Sequence, residues 1–135
     1  DISKGYDVAY YKDYIGEMQV VALDVRGEPA FKMTYKEFDE LLQGEIIPEV
    51  LRIREAGQKE YARELSNVFS NFTRVADFAG VTVEQAIFTY LIKHIDGIAA
   101  HISGHESQRE DVTGRIIDAI VYLCLLYGRT HKNKE

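Results

Sequence analysis

The chain has few of the residues that define several protein classes: among its 135 residues there are one cysteine, two prolines and no tryptophan. A single cysteine excludes an intramolecular disulfide, and Cys124, within an apolar stretch, is predicted to be a buried thiol. The low proline content is untypical of disordered or fibrous chains. A chain of this length buries enough surface to fold as a single domain, 1–135, without a disulfide or a metal ion.

Positive charge is also scarce, because the formal net charge is −6. Binding to long DNA or RNA needs a surplus of lysine and arginine, so that class is disfavoured, although a local basic pocket for one small phosphate ligand is not. No apolar run reaches the ~20 residues of a membrane-spanning helix, and no signal peptide is recognisable. We therefore expect a cytoplasmic protein without membrane contact, ending in a solvated basic tail at 129–135.

Helical patterns dominate the rest of the sequence. Two capping boxes, Thr34–Glu37 and Thr82–Gln85, predict helix starts. Gly44 and Gly80 are predicted to end helices, and Gly57 to interrupt a long one. A break at 103–105 precedes a last helix predicted from Gln108 to Tyr127. The fold class predicted is mainly α, a bundle of about four helices over 34–128.

The N-terminal part predicts a small β-hairpin appendage within residues 1–33. Met18–Val25 is short and β-branched, 26–29 is a turn sequence, and Ala30–Met33 is predicted to return as the second strand.

The last helix carries a polar stripe in an apolar context. Asp111, Arg115, Asp118 and Tyr122 are spaced by four, three and four residues and therefore share a face. A helix that is apolar on its other faces belongs in the interior or at an oligomer interface, and a shielded carboxylate needs a partner. Asp118 is interpreted either as an internal ion pair with Arg115 or Lys93, or as a pocket wall or metal ligand.

The helix before it presents a second stripe, with Lys93 near its centre. Lys93 is either part of a structural pair or an anion contact. A metal role for His94, His101 and His105 is disfavoured, because Gly104 interrupts the helix between the last two and no HExxH motif is present.

The segment 67–77, which is rich in aromatic residues, is predicted to form an amphipathic helix. Phe72 lies on its apolar face, whereas Asn71 and Arg74 lie on its polar face. That polar face is either simply solvated or contacts a phosphate or a base.

The segments EYARELSNVFSNFTRVADFAGVTVEQAIFTYLIKHIDGI and ESQREDVTGRIIDAIVYLCLLYG carry a resemblance. Over roughly Gln58 to Tyr127 the chain resembles the "nucleotide modification associated" domain of bacteriophage proteins, which is related to MazG-like all-α nucleoside triphosphate pyrophosphohydrolases. The residues that carry the resemblance are Tyr61, Asn71, Phe72, the GVTVEQ helix start, Lys93, and the IIDAIVYL helix with Asp118 and Tyr122.

The resemblance implies a compact, usually oligomeric helical protein that recognises nucleotides. In MazG-like enzymes paired glutamates and an ExxD element bind Mg²⁺. Here Arg115 stands where that glutamate would be, three residues before Asp118, and no EExxE is present. The resemblance therefore favours nucleotide binding over turnover.

The leading hypothesis is a phage-type protein, most simply a homo-oligomer, that binds and sequesters a nucleotide or nucleotide-derived small molecule and needs no cofactor. Its predicted site contains phosphate-neutralising cations, base-flanking rings and orienting polar groups: Lys93, Arg115, Arg74, Arg109, Tyr122, Phe72, Asn71 and Asp118.

Two alternatives stay open at this point. An Mg²⁺-dependent nucleotide pyrophosphohydrolase would hold its metal with Asp96, Glu110, Asp111 and Asp118. A non-catalytic assembly protein would use its apolar last helix to build an oligomer, with its charges paired internally.

Overall fold

Four helical segments make up most of the protein. The computed structural model describes residues 8–12, 18–24, 26–28 and 30–132. Within them, helical structure covers 35–62, 70–79, 83–102 and 112–132. The prediction of a mainly α protein with about four helices is confirmed.

The described strands are β1 (Val8–Lys12) and β2 (Met18–Ala22), which pair antiparallel. This arrangement differs from the predicted hairpin, because Ala30–Met33 has no regular secondary structure. The predicted return strand is therefore wrong, and the pairing partner of β2 precedes it in the chain. Val25 and Pro29 of the predicted hairpin lie outside the described residues.

A tight turn does follow β2, as the sequence predicted. The Asp24 carboxylate accepts hydrogen bonds from the backbone amides of Arg26 and Glu28, at 2.9 and 3.1 Å. Gly27 has a φ of 82°, which glycine adopts without strain. The turn is therefore fixed by local chemistry, whereas the strand expected after it does not form.

The first helical segment is continuous but irregular. It comprises α1 (Tyr35–Leu41), a first π segment (Leu42–Ile46), α2 (Ile47–Gly57) and a second π segment (Gln58–Ala62). The capping box at Thr34 is confirmed, with Glu37 donating its amide to the threonine hydroxyl at 3.1 Å.

One predicted glycine boundary in this segment is wrong, because Gly44 lies inside the first π segment. Gly57, predicted to interrupt a long helix, is the last residue of α2, where the helix changes from α to π without ending. A glycine costs a helix only about 1 kcal/mol, which favourable neighbours offset. The helix ends instead at Arg63, the described non-glycine residue with a left-handed backbone, φ 65°.

The three remaining helices are α3 (Ser70–Ala79), α4 (Val83–Ile102) and α5 (Val112–Lys132). The predicted end at Gly80, with φ 72°, and the predicted capping box at Thr82 are both confirmed.

The last helix is displaced from its prediction. It begins at Val112 rather than Gln108 and continues past Tyr127 into the predicted solvated tail. Arg129 lies 2.9 Å from a Glu84 carboxylate oxygen, and its guanidinium carbon lies 5.1 Å from the centre of the Phe69 ring. These two contacts hold the start of that tail against the protein, so the prediction of a free tail from 129 is wrong there. Residues 133–135 lie outside the description.

Helices α4 and α5 pack antiparallel as the most extensive helix pair. A Cβ built on Gly97 would lie 2.5 Å from Nη1 of Arg115, so only glycine lets that guanidinium lie against the α4 backbone. Three residue pairs face each other across this interface: Tyr90 with Tyr122, His94 with Asp118, and Gly97 with Arg115. In each pair the two residues are equally far from Glu106 along the sequence. The buried apolar core comprises Ala62, Phe72, Ala76, Ala86, Ile87, Leu91, Ile117, Ala119 and Val121.

One face of α5 is not covered. Cys124 is exposed, and so are Leu123 (52%) and Tyr127 (73%). The prediction that Cys124 is buried is therefore wrong, because an all-apolar helix was expected to be enclosed on every side. Among the described helices none alone has the length and apolarity to cross a membrane, although the bent pair of α3 and α4, at 98°, meets these two criteria jointly.

Candidate ligand cavity and carboxylate–histidine cluster

A cavity of about 240 Å³ lies between the α2 end of the first helical segment, α3 and α5. Its wall is mainly apolar and includes few charged groups. Its lining includes Arg54, Gly57, Gln58, Glu60, Tyr61, Asn71, Phe72, Asp118 and Tyr122.

Four of the eight predicted nucleotide-binding residues line this cavity: Asn71, Phe72, Asp118 and Tyr122. Phe72 and Tyr122 meet edge to face, with ring centres 6.1 Å apart and planes at 80°. Tyr90 stacks behind Tyr122 at 6.0 Å and 13°. The aromatic wall is therefore held in a fixed orientation by a third ring.

The other four predicted residues, all cations, are not among the lining residues. Arg74 donates to the backbone carbonyl of Tyr61 at 2.6 Å. Arg115 lies against Gly97, and its Nε is buried without a hydrogen-bond partner. Lys93 and Arg109 are exposed. The structure does not gather these four cations around the cavity.

Sequence reasoning missed the contribution of the first helical segment. Arg54, Gln58 and Tyr61 are spaced by four and three residues, so they share a helical face, and all three line the cavity. That spacing is visible in the sequence. The sequence does not show which other helix this face contacts, and therefore the spacing alone does not indicate a cavity.

A second cluster adjoins the cavity through Asp118. Ligand atoms of His94, Glu110 and Asp118 all lie within 4.8 Å of one another. Nε2 of His94 lies 3.8 Å from a carboxylate oxygen of Asp118. We refer to these three residues as the carboxylate–histidine cluster.

The cluster brings together part of the predicted Mg²⁺ set and one further residue. Of the four predicted Mg²⁺ ligands only Glu110 and Asp118 come together, whereas Asp96 is exposed and Asp111 accepts a hydrogen bond from Thr113. His94, which was disfavoured as a ligand, belongs to the cluster.

The internal ion pair predicted for Asp118 is also absent among the described residues. Neither Arg115 nor Lys93 lies within ion-pair distance of Asp118, whose partner at that distance is His94. Lys93 still lowers the pKa of Asp118, but its effect is smaller than that of burial.

Burial is the largest cause of the pKa shifts of Asp118, Tyr122 and His94. Burial, then a hydrogen bond with Glu110 and the charge of Glu110, raise the pKa of Asp118 to about 6. Burial, and then the Asp118 charge, raise the pKa of Tyr122 to about 12. Burial also lowers the pKa of His94. Near neutral pH the site therefore holds a neutral imidazole beside Asp118.

This arrangement predicts a pH-dependent effect of Asp118→Asn. Because the folded-state pKa of Asp118 is raised, its contribution to stability is full below about pH 4 and is lost as pH rises through about 6. In metal-free buffer we expect the melting temperature of the variant, relative to wild type, to rise by roughly 3 °C between pH 4 and 7. This change in melting temperature corresponds to about 1 kcal/mol of unfolding free energy. The value is smaller than the full pKa shift would give, because water reaches the carboxylate and screens its charge.

The comparison of variant with wild type at each pH separates Asp118 from its titrating neighbour. The lowered pKa of His94 acts with the opposite sign, since stability rises as the unfolded-state histidine loses its proton, but both proteins share this effect. Asp96→Asn, an exposed change on α4, is the matched control and should show no such trend. An equal trend in both variants would contradict the prediction.

Comparison of the chain with protein-family models, with curated proteins and with solved structures gave no match.

Proposed function

We propose that this protein binds a nucleobase-containing small molecule in the cavity and retains it without converting it. The observation that carries the proposal is the composition of one wall. Phe72 and Tyr122 offer aromatic surface there, and Asn71 and Asp118 offer polar groups beside it. Small-molecule sites are typically apolar hollows with a few convergent polar groups of this kind.

The polar groups suit the edge of a base. The Asn71 amide both donates and accepts hydrogen bonds. Asp118, with its pKa raised to about 6 by burial, donates when protonated and accepts when ionised. A heterocycle that alternates donors and acceptors along its edge matches these groups, whereas a purely aliphatic ligand would leave them unpaired at a cost.

The volume of the cavity and the charges in its lining restrict the class of ligand further. A volume of about 240 Å³ lies below the usual ~300–1,000 Å³ of ligand pockets, which favours a base or nucleoside moiety over a dinucleotide. The lining includes Arg54 together with the carboxylates Glu60 and Asp118. A phosphate would therefore be placed at Arg54, which is exposed, and not in the interior.

The resemblance to the phage nucleotide modification associated domain supports the same ligand class, and sequestration by a phage-type protein follows from it by analogy. Assembly as a homo-oligomer is part of the proposal. It is supported by large apolar side chains that are almost fully exposed in the single chain: Tyr35 (88%), Leu65 (89%) and Phe78 (95%).

A thermal-shift screen tests the proposal. The panel comprises bases, nucleosides, mono- and triphosphates and cyclic nucleotides, each with Mg²⁺ and with EDTA. A ligand present at 100 times its Kd should stabilise the folded state by about 2.7 kcal/mol, which raises the melting temperature by roughly 8 °C. No shift with any compound would overturn the proposal in favour of a pure assembly protein.

A filled cavity provides the matched variant. Gly57 lines the cavity, and a Cβ built there would make only an ordinary contact with Tyr61, at 3.9 Å. Gly57→Leu should therefore fold and weaken binding at least tenfold. Gly44→Leu is the control, since a Cβ at Gly44 meets nothing within 4 Å. Unchanged affinity in Gly57→Leu would place the ligand elsewhere.

Hydrolysis remains the alternative because Glu110 and Asp118 adjoin each other beside the cavity. A pyrophosphohydrolase would release pyrophosphate from a nucleotide when Mg²⁺ is added, and Asp118→Ala would abolish that release. Ligands that bind in EDTA and are recovered unchanged favour retention. Ligands that are consumed only with Mg²⁺ favour the enzyme.

A further inference from the structure

The carboxylate–histidine cluster draws its three members from separate places in the fold. His94 lies in the middle of α4, Asp118 lies on α5, and Glu110 precedes α5 in the connection from α4. The antiparallel packing of the two helices sets His94 opposite Asp118, and the connection brings Glu110 back to the same point. Three potential ligands thus meet without belonging to one acidic run.

The histidine has an unsatisfied polar group. His94 is only 6% exposed, and its Nδ1 is buried without a hydrogen-bond partner. Its ring stacks on Tyr122, with centres 5.6 Å apart, which covers a face but satisfies neither nitrogen. Buried polar atoms are ordinarily paired. The nitrogen without a partner is Nδ1, whereas the nitrogen that lies near Asp118 is Nε2.

The spacing between His94 and Asp118 suits a shared ion better than a direct hydrogen bond. The 3.8 Å between Nε2 of His94 and Asp118 exceeds hydrogen-bond length. Two ligands that each lie about 2.1 Å from a tetrahedral zinc ion are about 3.4 Å apart. A small adjustment of these side chains would therefore place all three around one cation.

From this geometry we propose that His94, Glu110 and Asp118 form a binding site for a divalent transition-metal ion of the zinc class. A neutral imidazole with two carboxylates is a ligand set for such ions, whereas Mg²⁺ prefers oxygen ligands alone. The ion would bind the imidazole through Nε2, the nitrogen nearest to Asp118, together with oxygens of the two carboxyl groups. The positive charges of Lys93 and Arg115 lie close enough to lower the pKa of His94, and they oppose the binding of a cation there.

This site shares Asp118 with the cavity, but it does not require a ligand to be bound there. It also differs from the Mg²⁺ set considered under the hydrolase alternative, because it includes a histidine and omits Asp96 and Asp111.

Calorimetric titration of the full chain, stripped with EDTA, tests the proposal with Zn²⁺, Mn²⁺ and Mg²⁺ as probes. We expect one Zn²⁺ per chain, bound at least tenfold more tightly than Mg²⁺. His94→Ala and Glu110→Gln should each weaken Zn²⁺ binding at least tenfold. Co²⁺ provides a second readout, because its visible absorption should change when the imidazole ligand is removed.

Two matched variants control for other metal-binding groups. His101→Ala lies on the same helix, and Glu106→Gln is an exposed change in the same connection. Both should leave the Zn²⁺ affinity unchanged. Glu110→Gln keeps the size of the side chain, so it tests the site even if His94→Ala fails to fold. Absence of stoichiometric Zn²⁺ binding, or equal losses in the control variants, would overturn the proposal.

Discussion

Phe72→Ala is expected to lower the free energy of unfolding by about 4 kcal/mol, the largest effect of any substitution considered for this chain. Phe72 is only 5% exposed. Its ring packs edge to face against Tyr90 at 5.9 Å and against Tyr122 at 6.1 Å. The substitution removes both ring contacts and leaves a void, and urea unfolding followed by circular dichroism measures the loss.

The same helix contains its own control. Phe78 is 95% exposed, so Phe78→Ala makes the same chemical change on α3 without emptying the core. At a concentration where the chain is monomeric, we expect a change within about 0.5 kcal/mol. Similar losses in both variants would mean that the aromatic cluster of Phe72, Tyr90 and Tyr122 does not anchor the fold.

Ile87→Ala is expected to cost about 3 kcal/mol. Ile87, on α4, is the largest described side chain with no exposed surface at all. Because α4 contacts both α3 and α5, a void at this position weakens the packing on which the bundle depends. Chemical denaturation at fixed protein concentration provides the measurement.

Ile92→Ala, at a 45% exposed position of α4, is the matched control and should cost less than half as much. Ile87 is not among the cavity-lining residues, whereas Phe72 is. Ligand affinity measured well below the melting temperature should therefore survive Ile87→Ala and fall in Phe72→Ala. Equal effects of the two isoleucine substitutions on stability would contradict this description of the core.

The sequence features that predicted the fold correctly are those whose physics is local. A capping threonine and its partner three residues later satisfy each other's backbone groups, so Thr34 and Thr82 could be identified without knowing any neighbour. Gly80 ends α3 because the backbone there is left-handed. Gly44 and Gly57 looked similar in sequence but lie in helical conformations, where tertiary packing decides the outcome.

Half of the candidate site could have been foreseen in greater detail. With antiparallel helices joined around Glu106, residues equally far from it on either side lie opposite each other. This rule pairs His94 with Asp118 and Tyr90 with Tyr122, as the structure does. Each stripe is visible in the sequence by itself, but only their alignment across the connection brings His94 next to Asp118.

The remaining half depended on long-range packing. Arg54, Gln58 and Tyr61 reach the cavity only because the first helical segment packs on α5, a contact between parts of the chain that are far apart in sequence. The four cations assigned to phosphate were chosen by charge alone. The charge of a side chain does not determine where it lies in the fold. Three of these four residues, Arg74, Lys93 and Arg109, are exposed.

Because of the second π segment, the cavity wall depends on the number of residues in that segment as well as on their side chains. A π turn accommodates one residue more than an α turn, and Gln58–Ala62 contributes four of its five residues to the lining. Deleting one residue there would let the amide ladder return to α spacing and rotate the following positions by about 100°. Gln58 and Tyr61 would then no longer share their present face. Relatives and redesigned variants should thus tolerate exchanges of residue type in this segment more readily than insertions or deletions.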